Sequence, residues 1–177
     1  MNKAKDNLIV IIPAYEPPED FIEYARSVSQ IAKKLVVVND GSNSSYDNIF
    51  QEIAKCENVV YLAYPENHGK GYALKTAFKY CAENSDENDV VVTADCDGQH
   101  TIKDLVKVYK ACAAHLDAFV LGSRDLNAPN VPKRSKMGNL SIRRMFKYLY
   151  GLKLNSPCSG TYILNPLAII SSISEKW

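Results

Sequence analysis

No apolar run in this chain of 177 residues reaches the roughly 18 residues that a membrane span needs. The apolar stretch near the start, Leu8–Ile12, is too brief for a secretory signal core, and no cleavage site follows it. The five cysteines are odd in number and include no CxxC pair. Neither a zinc site nor a disulfide framework is indicated, and the thiols read as reduced and mostly buried. A cytosolic location is the default expectation. Internal repeats, linkers and low-complexity segments are missing too. With 46% apolar and 23% charged residues, the chain is not disordered, collagen-like or a small disulfide scaffold. Its length suits one domain with a core of its own.

Carboxylates are missing from one region. Between Asp125 and Glu175 there is none, and residues 126–177 carry 8 Lys/Arg against one acid. Residues 1–125 carry 13 Lys/Arg against 19 Asp/Glu, so the overall charge of +1 hides an acidic half and a basic half. A basic, acid-free stretch attracts phosphates, anionic lipid or nucleic acid. It can equally be a solvated face turned toward its own acidic half.

The apolar residues come in short continuous runs: Leu8–Ile12, Leu35–Val38, Val59–Ala63, Val90–Ala94 and Ala118–Leu121. Continuous β-branched runs of this length read as strands buried on both faces. Helical stripes lie between them. They are Ala25/Val28/Ala32, Ile49/Phe50/Ile53, Leu74/Ala77/Phe78/Cys81 and Ile102/Leu105/Val106/Tyr109. Thr101 with Asp104 forms a start signal like a capping box. A further strand is expected at Thr161–Leu164. The alternation predicts an α/β fold with a mostly parallel central sheet and helices on both faces.

Ligands of such sheets bind beyond the carboxyl ends of the strands. The residues found there are Pro13-Ala14-Tyr15-Glu16, Asn39-Asp40-Gly41-Ser42, the loop Tyr64–Gly71, Asp95–His100 and Gly122-Ser123-Arg124-Asp125. Polar and charged groups gather at every one of these ends. The first strand–helix turn, PAYEPPED, has no glycine and cannot bring backbone against a pyrophosphate, which argues against a dinucleotide fingerprint. GKGYA lacks the P-loop spacing.

The chemistry centres on Asp95-Cys96-Asp97. Two carboxylates just past a buried strand can reach one site, and hard oxygen donors suit Mg²⁺ or Mn²⁺ bridging to phosphate oxygens. A surface turn is the ordinary alternative for such a run. Asp40 can accept hydrogen bonds from a base or ribose, or cap the next helix. Lys70, close to a helix start, suits a phosphate. Arg124 suits a diphosphate or a structural ion pair. His68 reads more readily as a loop hydrogen-bonding residue than as a ligand.

The set IVIIPAYE, VVVNDGS, NHGKGYALKTAF, VVVTADCDGQH, LGSRD and KRSKMGN, in this order and spacing, resembles the family 2 glycosyltransferases of the GT-A fold. It looks closest to the branch of dolichyl- and polyprenyl-phosphate sugar transferases, over about residues 7–165. The resemblance implies a single GT-A (Rossmann-like) catalytic domain over residues 1–177. Residues 1–125 would be its nucleotide-sugar-binding half and residues 126–177 its basic acceptor-side half. It also implies a UDP- or GDP-sugar donor and an Mg²⁺ or Mn²⁺ cofactor. Pro13, Ala14, Tyr15 and Asp40 would hold base and ribose, with Glu16 and Asn39 also in the nucleotide-sugar site. Asp95 and Cys96 would line the nucleotide, Asp97 would bind the metal with Gln99 beside it, and Lys70 and Arg124 would sit at the sugar diphosphate.

Some positions depart from the family pattern. Asn39 stands where Asp is frequent, and Pro17-Pro18 displaces the second acid after Glu16. Ser156 and Tyr162 replace the Asp and Arg of Asp-x-x-Ser-Gly-x-Arg. An acid-free acceptor side fits an acceptor that is already an anion, because a polyprenyl phosphate needs no strong base. Inversion would follow from one in-line displacement, with Asp125 the remaining base for a hydroxyl acceptor. Asp97, Arg124 and Asp125 are therefore the expected catalytic residues. The stripe Ile142/Met145/Phe146/Leu149, flanked by Arg143, Arg144 and Lys147, can rest on the inner face of an anionic membrane or pack on the sheet. No nucleic-acid partner is expected. Relatives run longer, so a shortened acceptor side is also expected. Two rivals stand beside this reading: a degenerate nucleotide-sugar binder that does not turn over, and a haloacid-dehalogenase-type phosphatase with Asp95 as nucleophile.

Overall fold

A computed structural model describes residues 4–113, 120–121 and 162–164. After a short turn of helix, α1 (Ala4–Asn7), strand and helix alternate. The order is β1 (Leu8–Ala14), α2 (Phe21–Ile31), β2 (Lys34–Asp40), a 3₁₀ turn at Ser44–Tyr46, α3 (Asp47–Ala54), β3 (Val59–Tyr64), α4 (Lys70–Asn84), β4 (Val90–Thr93) and α5 (Ile102–Ala113). Two short strands, β5 (Val120–Leu121) and β6 (Tyr162–Leu164), complete the described elements. The strands form one sheet in the order β3-β2-β1-β4-β6-β5. β3, β2, β1 and β4 are parallel, while β6 runs antiparallel to β4, pairing Val92 with Ile163. The chain steps outward from β1 to β3 and then returns to the other side of β1. The crevice between β1 and β4 is the switch point where such sheets take ligands.

Strand alternation sends successive apolar side chains to opposite faces. Leu8, Val10, Ile12, Leu35, Val37, Val90 and Val92 pack with Phe21, Ala25 and Val28 of α2, Ile49, Phe50 and Ile53 of α3, and Leu105, Tyr109 and Cys112 of α5. Ile9, Ile11, Val36, Val38 and Val91 pack with Ala73, Ala77 and Cys81 of α4. Helices therefore cover both faces, as the patterning predicts. Burial pushes the Cys81 thiol up to about 11, so this cysteine is a protonated packing residue, as expected. The start of α5 is closed by its own side chains. The Asp104 N–H donates to Thr101 Oγ1 at 3.2 Å, and the Thr101 hydroxyl donates to Asp104 Oδ2 at 2.6 Å.

Two readings of the pattern need correction. Val59–Ala63 reads as a doubly buried strand, yet β3 is an edge strand with Tyr61 exposed and no fully buried residue. A continuous apolar run does not report where in the sheet a strand lies. The α4 stripe is also turned by about one residue: Ala73, Ala77 and Cys81 are buried, while Leu74 and Phe78 are half-buried. Small residues let this helix lie close to the sheet, and the larger ones are displaced to its flanks. Among the described residues, no helix is long and apolar enough to cross a membrane.

The amino ends of the strands are tied down by polar contacts. Lys33 Nζ donates to the buried Asp89 at 2.9 and 3.0 Å and to Asp86 at 2.5 Å. Asp89 Oδ2 also accepts the Asp86 N–H at 2.9 Å. Asn58 donates its amide to the Ser29 and Ala32 carbonyls at 2.8 and 2.9 Å, holding the last turn of α2.

Candidate active site

A cleft of about 320 Å³ opens at the carboxyl ends of β1, β2 and β4. Its walls are Pro13 and Ala14 at the end of β1, Tyr15 just after it, Asp40 at the end of β2, Asn67, Gly69 and Lys70 at the start of α4, and Asp95, Cys96 and Asp97 after β4. Eight of these were expected from the sequence; Asn67 and Gly69 were not singled out. Glu16, Asn39 and Gln99 are not among the wall residues. Arg124, Asp125, the basic stripe at 142–149, Ser156 and the Tyr162 side chain lie outside the described residues.

The turn after β2 explains how the cleft is built. Asn39 Oδ1 accepts the Ser42 N–H at 2.9 Å and its amide donates to the Tyr61 hydroxyl at 3.0 Å, so both ends of the side chain brace the turn. Gly41 follows at φ +69°. A Cβ there would lie 2.3 Å from the Glu66 carbonyl carbon and 2.4 Å from the Asn67 nitrogen. Only glycine permits both the left-handed backbone and this approach of two loops. Ser42 and Asn43 in turn hold Glu16. The Glu16 N–H donates to Ser42 Oγ at 2.9 Å, and the Asn43 amide donates to Glu16 Oε1 at 3.0 Å. Glu16 itself stands at φ 46°, which a non-glycine residue adopts at a cost. Glu16 and Asn39 thus shape the rim from behind the wall.

Asp40 is buried at the end of β2. Its Oδ1 accepts the Tyr64 hydroxyl at 2.7 Å and the His68 N–H at 3.0 Å. Burial, then the bond to Asp40, raises the Tyr64 phenol above its ordinary range, so it remains a donor at neutral pH. The Tyr64, His68 and Tyr72 rings pack together, with His68 and Tyr72 centroids 4.7 Å apart. The His68 ring thus belongs to an exposed aromatic cluster and its backbone serves Asp40.

At the start of α4, Gly69 stands at φ 88° and ψ 158°, a region that L side chains avoid, and donates its N–H to Asn67 Oδ1 at 3.0 Å. The N–H groups of Lys70 and Gly71 in the first helical turn have no acceptor among the described residues. Free donors, the helix dipole and the Lys70 ammonium would together attract an anion at this end of the cleft.

Lys70 Nζ donates to Asp95 Oδ1 across the cleft floor. Asp95 Oδ2 faces His100 Nε2 at 3.7 Å, an ion pair when the imidazole is protonated. His100, and after it Lys70, hold the Asp95 carboxyl below its usual range against the opposing effect of burial. Asp95 is therefore a stable anion. Asp97 is exposed, and its Oδ1 accepts the Gln99 N–H at 3.0 Å in an Asx turn. Gln99 serves here through its backbone. Burial, then the neighbouring Asp97 charge, raises the Cys96 thiol, so it is not a thiolate nucleophile. Behind the turn, the Tyr24 hydroxyl donates to the His100 carbonyl at 2.7 Å. Burial, followed by the Asp97 and Asp95 charges, raises this phenol too.

Among the described residues no three His, Cys, Asp or Glu side chains converge on one point. Asp97 offers a hard oxygen, while Lys70 occupies one oxygen of Asp95. This fits an Mg²⁺ or Mn²⁺ ion that takes most of its ligands from water and substrate phosphates, rather than one caged by protein.

Sequence reasoning missed Tyr24, His100 and Tyr64 as supports. Tyr64 carried a signal, as the last residue of a strand on the right rim. Tyr24 carried none, because its partner lies 76 residues away.

Residues 9–169 match the family described as Glycosyl transferase family 2. The UDP-N-acetylglucosamine–dolichyl-phosphate N-acetylglucosaminyltransferase of Methanococcus voltae is 29% identical over 173 residues, 88% of this chain and 68% of that protein. The undecaprenyl-phosphate 4-deoxy-4-formamido-L-arabinose transferase of Pseudomonas fluorescens is 28% identical over 146 residues, 76% of this chain and 41% of that protein. The chain spans 41–68% of the length of the curated relatives it matches. In fold it resembles glucosyl-3-phosphoglycerate synthase from Mycobacterium tuberculosis, solved with Mn²⁺, uridine diphosphate and phosphoglyceric acid. That match has a TM-score of 0.58 and 18% identity over 94% of this chain and 58% of that one.

Proposed function

The chain belongs to glycosyl transferase family 2, and from that premise we propose that it transfers a sugar from a nucleoside-diphosphate sugar to a polyprenyl phosphate, with metal assistance and inversion. The observation that carries this reading is the convergence of Asp40, Lys70, Asp95 and Asp97 on one cleft at the switch point of the sheet. That cleft offers an acceptor at one end and an anion site with a hard carboxylate at the other. The names of two relatives support a polyprenyl-phosphate acceptor.

In this reading Pro13, Ala14, Tyr15 and Asp40 hold the nucleoside, with Glu16 and Asn39 fixing the loops behind them. The diphosphate lies toward Lys70 and the first turn of α4, where the ammonium and free N–H groups offset its charge. Asp97 would hold the divalent cation together with diphosphate oxygens. Bound there, such an ion supplies Lewis-acid stabilisation of the charge on the departing diphosphate. Asp95 keeps Lys70 in place and adds negative potential beside the cation. A phosphate oxygen of the acceptor attacks the anomeric carbon as the bond to the nucleoside diphosphate breaks on the opposite side, which inverts that carbon. No proton has to be removed from an ionised phosphate. Arg124 and Asp125 are assigned to the sugar-diphosphate and acceptor sides, and the basic half to the anionic lipid at the cytoplasmic face of a membrane. A phosphatase of the haloacid-dehalogenase type is disfavoured, because Asp95 and Asp97 follow the fourth strand and Gln99 stands where that motif needs Thr or Val.

The test is thermal unfolding with UDP and GDP, each with and without Mn²⁺, beside Asp97→Ala, followed by transfer to a short polyprenyl phosphate. Metal-dependent stabilisation that Asp97→Ala removes, together with formation of the glycolipid, is the expected result. Nucleotide binding without transfer would favour the degenerate binder, and no binding in any condition would end the reading.

A further inference from the structure

Resting on the nucleotide-sugar reading of the cleft, we propose that Tyr24 is a positioning residue for the divalent cation. It holds the turn that carries Asp97, and so sets how tightly the chain takes up metal. Segment 95–100 leaves the sheet after Ala94, whose N–H donates to the Ile11 carbonyl at 2.9 Å. The chain is anchored again at Thr101, whose carbonyl and Oγ1 accept the Asp104 N–H at 2.9 and 3.2 Å. Between these anchors the turn rests on Tyr24. The Tyr24 hydroxyl donates to the His100 carbonyl at 2.7 Å. Its ring lies beside Gly98, where an added Cβ would stand 4.0 Å from Tyr24 Cγ. One side chain of α2 thus reaches the turn on both sides of Gln99, whose N–H donates to Asp97 Oδ1 at 3.0 Å.

Tyr24 can do this because of where it stands. Phe21, Ala25 and Val28 of the same helix are buried and fix α2 to the sheet. Tyr24 is half-buried and packs against that core, as do Cys96 and Ile102 at either end of the turn. It therefore passes the rigidity of the core to an exposed acid. Burial, followed by the Asp97 and Asp95 charges, keeps the phenol protonated, so it donates throughout the neutral range. An ion that takes most of its ligands from water and phosphates leans on very few protein oxygens. Its affinity then depends on how far those oxygens are in place beforehand, because ordering the turn on binding would consume part of the binding energy. Supports behind metal ligands act in this way. Tyr24 is not among the wall residues of the cleft, so it works through the turn and not on the ligand.

The experiment is Mn²⁺ titration of the full chain, followed by electron paramagnetic resonance, with UDP and separately with GDP. The proteins are the parent, Tyr24→Phe, Tyr109→Phe and Asp97→Ala. Tyr24→Phe keeps the ring beside Gly98 and loses only the hydroxyl. Its Mn²⁺ dissociation constant should rise about fivefold, the equivalent of one hydrogen bond. Metal-free nucleotide binding should stay at the parental value, and excess Mn²⁺ should restore the complex by mass action. Tyr109→Phe removes another tyrosine bond, to Asn7 at the amino ends of the strands, and should lower stability without changing Mn²⁺ affinity. Unchanged Mn²⁺ affinity in a folded Tyr24→Phe, or an equal loss in Tyr109→Phe, would overturn the proposal. Should Tyr24→Phe not fold, 3-fluorotyrosine in place of Tyr24 supplies the readout with the hydroxyl intact. Its fluorine resonance should shift as Mg²⁺ fills the nucleotide complex, and an unmoved resonance would overturn the proposal. Unchanged Mn²⁺ affinity in Asp97→Ala would do so as well, by moving the ion away from this turn. Absence of nucleotide and Mn²⁺ binding by the parent would instead remove the nucleotide-sugar reading itself, and the role of Tyr24 with it.

Discussion

The two ends of the same sheet are built on opposite principles. At the amino ends, side chains close on one another: Lys33 on Asp86 and Asp89, Asn58 on the last turn of α2. At the carboxyl ends, side chains are held from behind and their outer faces are left open. Asp40 gives Oδ1 to the protein and keeps Oδ2, Asp97 does the same, and α4 begins with N–H groups that have no acceptor among the described residues. Among the described residues the positive-φ positions lie at this end as well: Glu16, which bears the strain, and Gly41, Gly69 and Gly98, where glycine avoids it. A closed end adds stability, whereas an open one stores unmade interactions for a ligand.

The comparison breaks most sharply at Gly41. Gly41→Ala should lower stability by about 3 kcal/mol, from the left-handed backbone together with the contact on the Glu66–Asn67 peptide. Urea denaturation measures it, and a loss below about 1 kcal/mol would show that the two loops can part cheaply. Asp97→Ala should leave the ligand-free stability within about 0.5 kcal/mol of the parent. It should also abolish the roughly 2.7 kcal/mol that nucleotide with Mn²⁺ adds at 100 times its dissociation constant. A large ligand-free loss would mean that Asp97 is structural, like the residues of the other rim.

Asp89→Asn should do the reverse. It removes the buried partner of Lys33 and costs about 2 kcal/mol, less than a fully buried pair because the Lys33 side chain is 32% exposed and keeps Asp86. Nucleotide affinity should not move; a weakened affinity would show that the two rims communicate through the sheet. The smallest effect is at Asp86. Its hydrogen bond to Lys33, then the Lys33 charge, lowers the carboxyl below the ordinary 3.8. The folded value lies below the unfolded one, so the contribution is present above about pH 4 and fades as pH falls through the lowered value. Asp86→Asn should flatten that part of the acid-unfolding curve and leave the neutral region nearly unchanged.

Much of the architecture was legible in the chain because burial imposes a period. The runs at Leu8, Leu35 and Val90 alternate between two cores, and the stripes on α2, α3 and α5 face one of them. The position of the candidate site was legible as well, since parallel topology puts every strand's carboxyl end on one rim. Pro13, Asp40, Lys70, Asp95 and Asp97 could be named from that alone. What sequence could not show is which atom of each residue the protein itself uses. Asn39 and Asp40 are neighbours in VVVND, but one braces a turn and the other opens on the cleft. Strand geometry alternates their directions, and the partners that decide the matter, Tyr61 and Tyr64, come from the next strand. Local pattern and topology therefore determined the sheet, its two cores and the chemical rim. Only the tertiary structure decided the edge position of β3, the close fit at Gly41 and the single free oxygen of Asp40, because each depends on contacts between segments far apart in the chain.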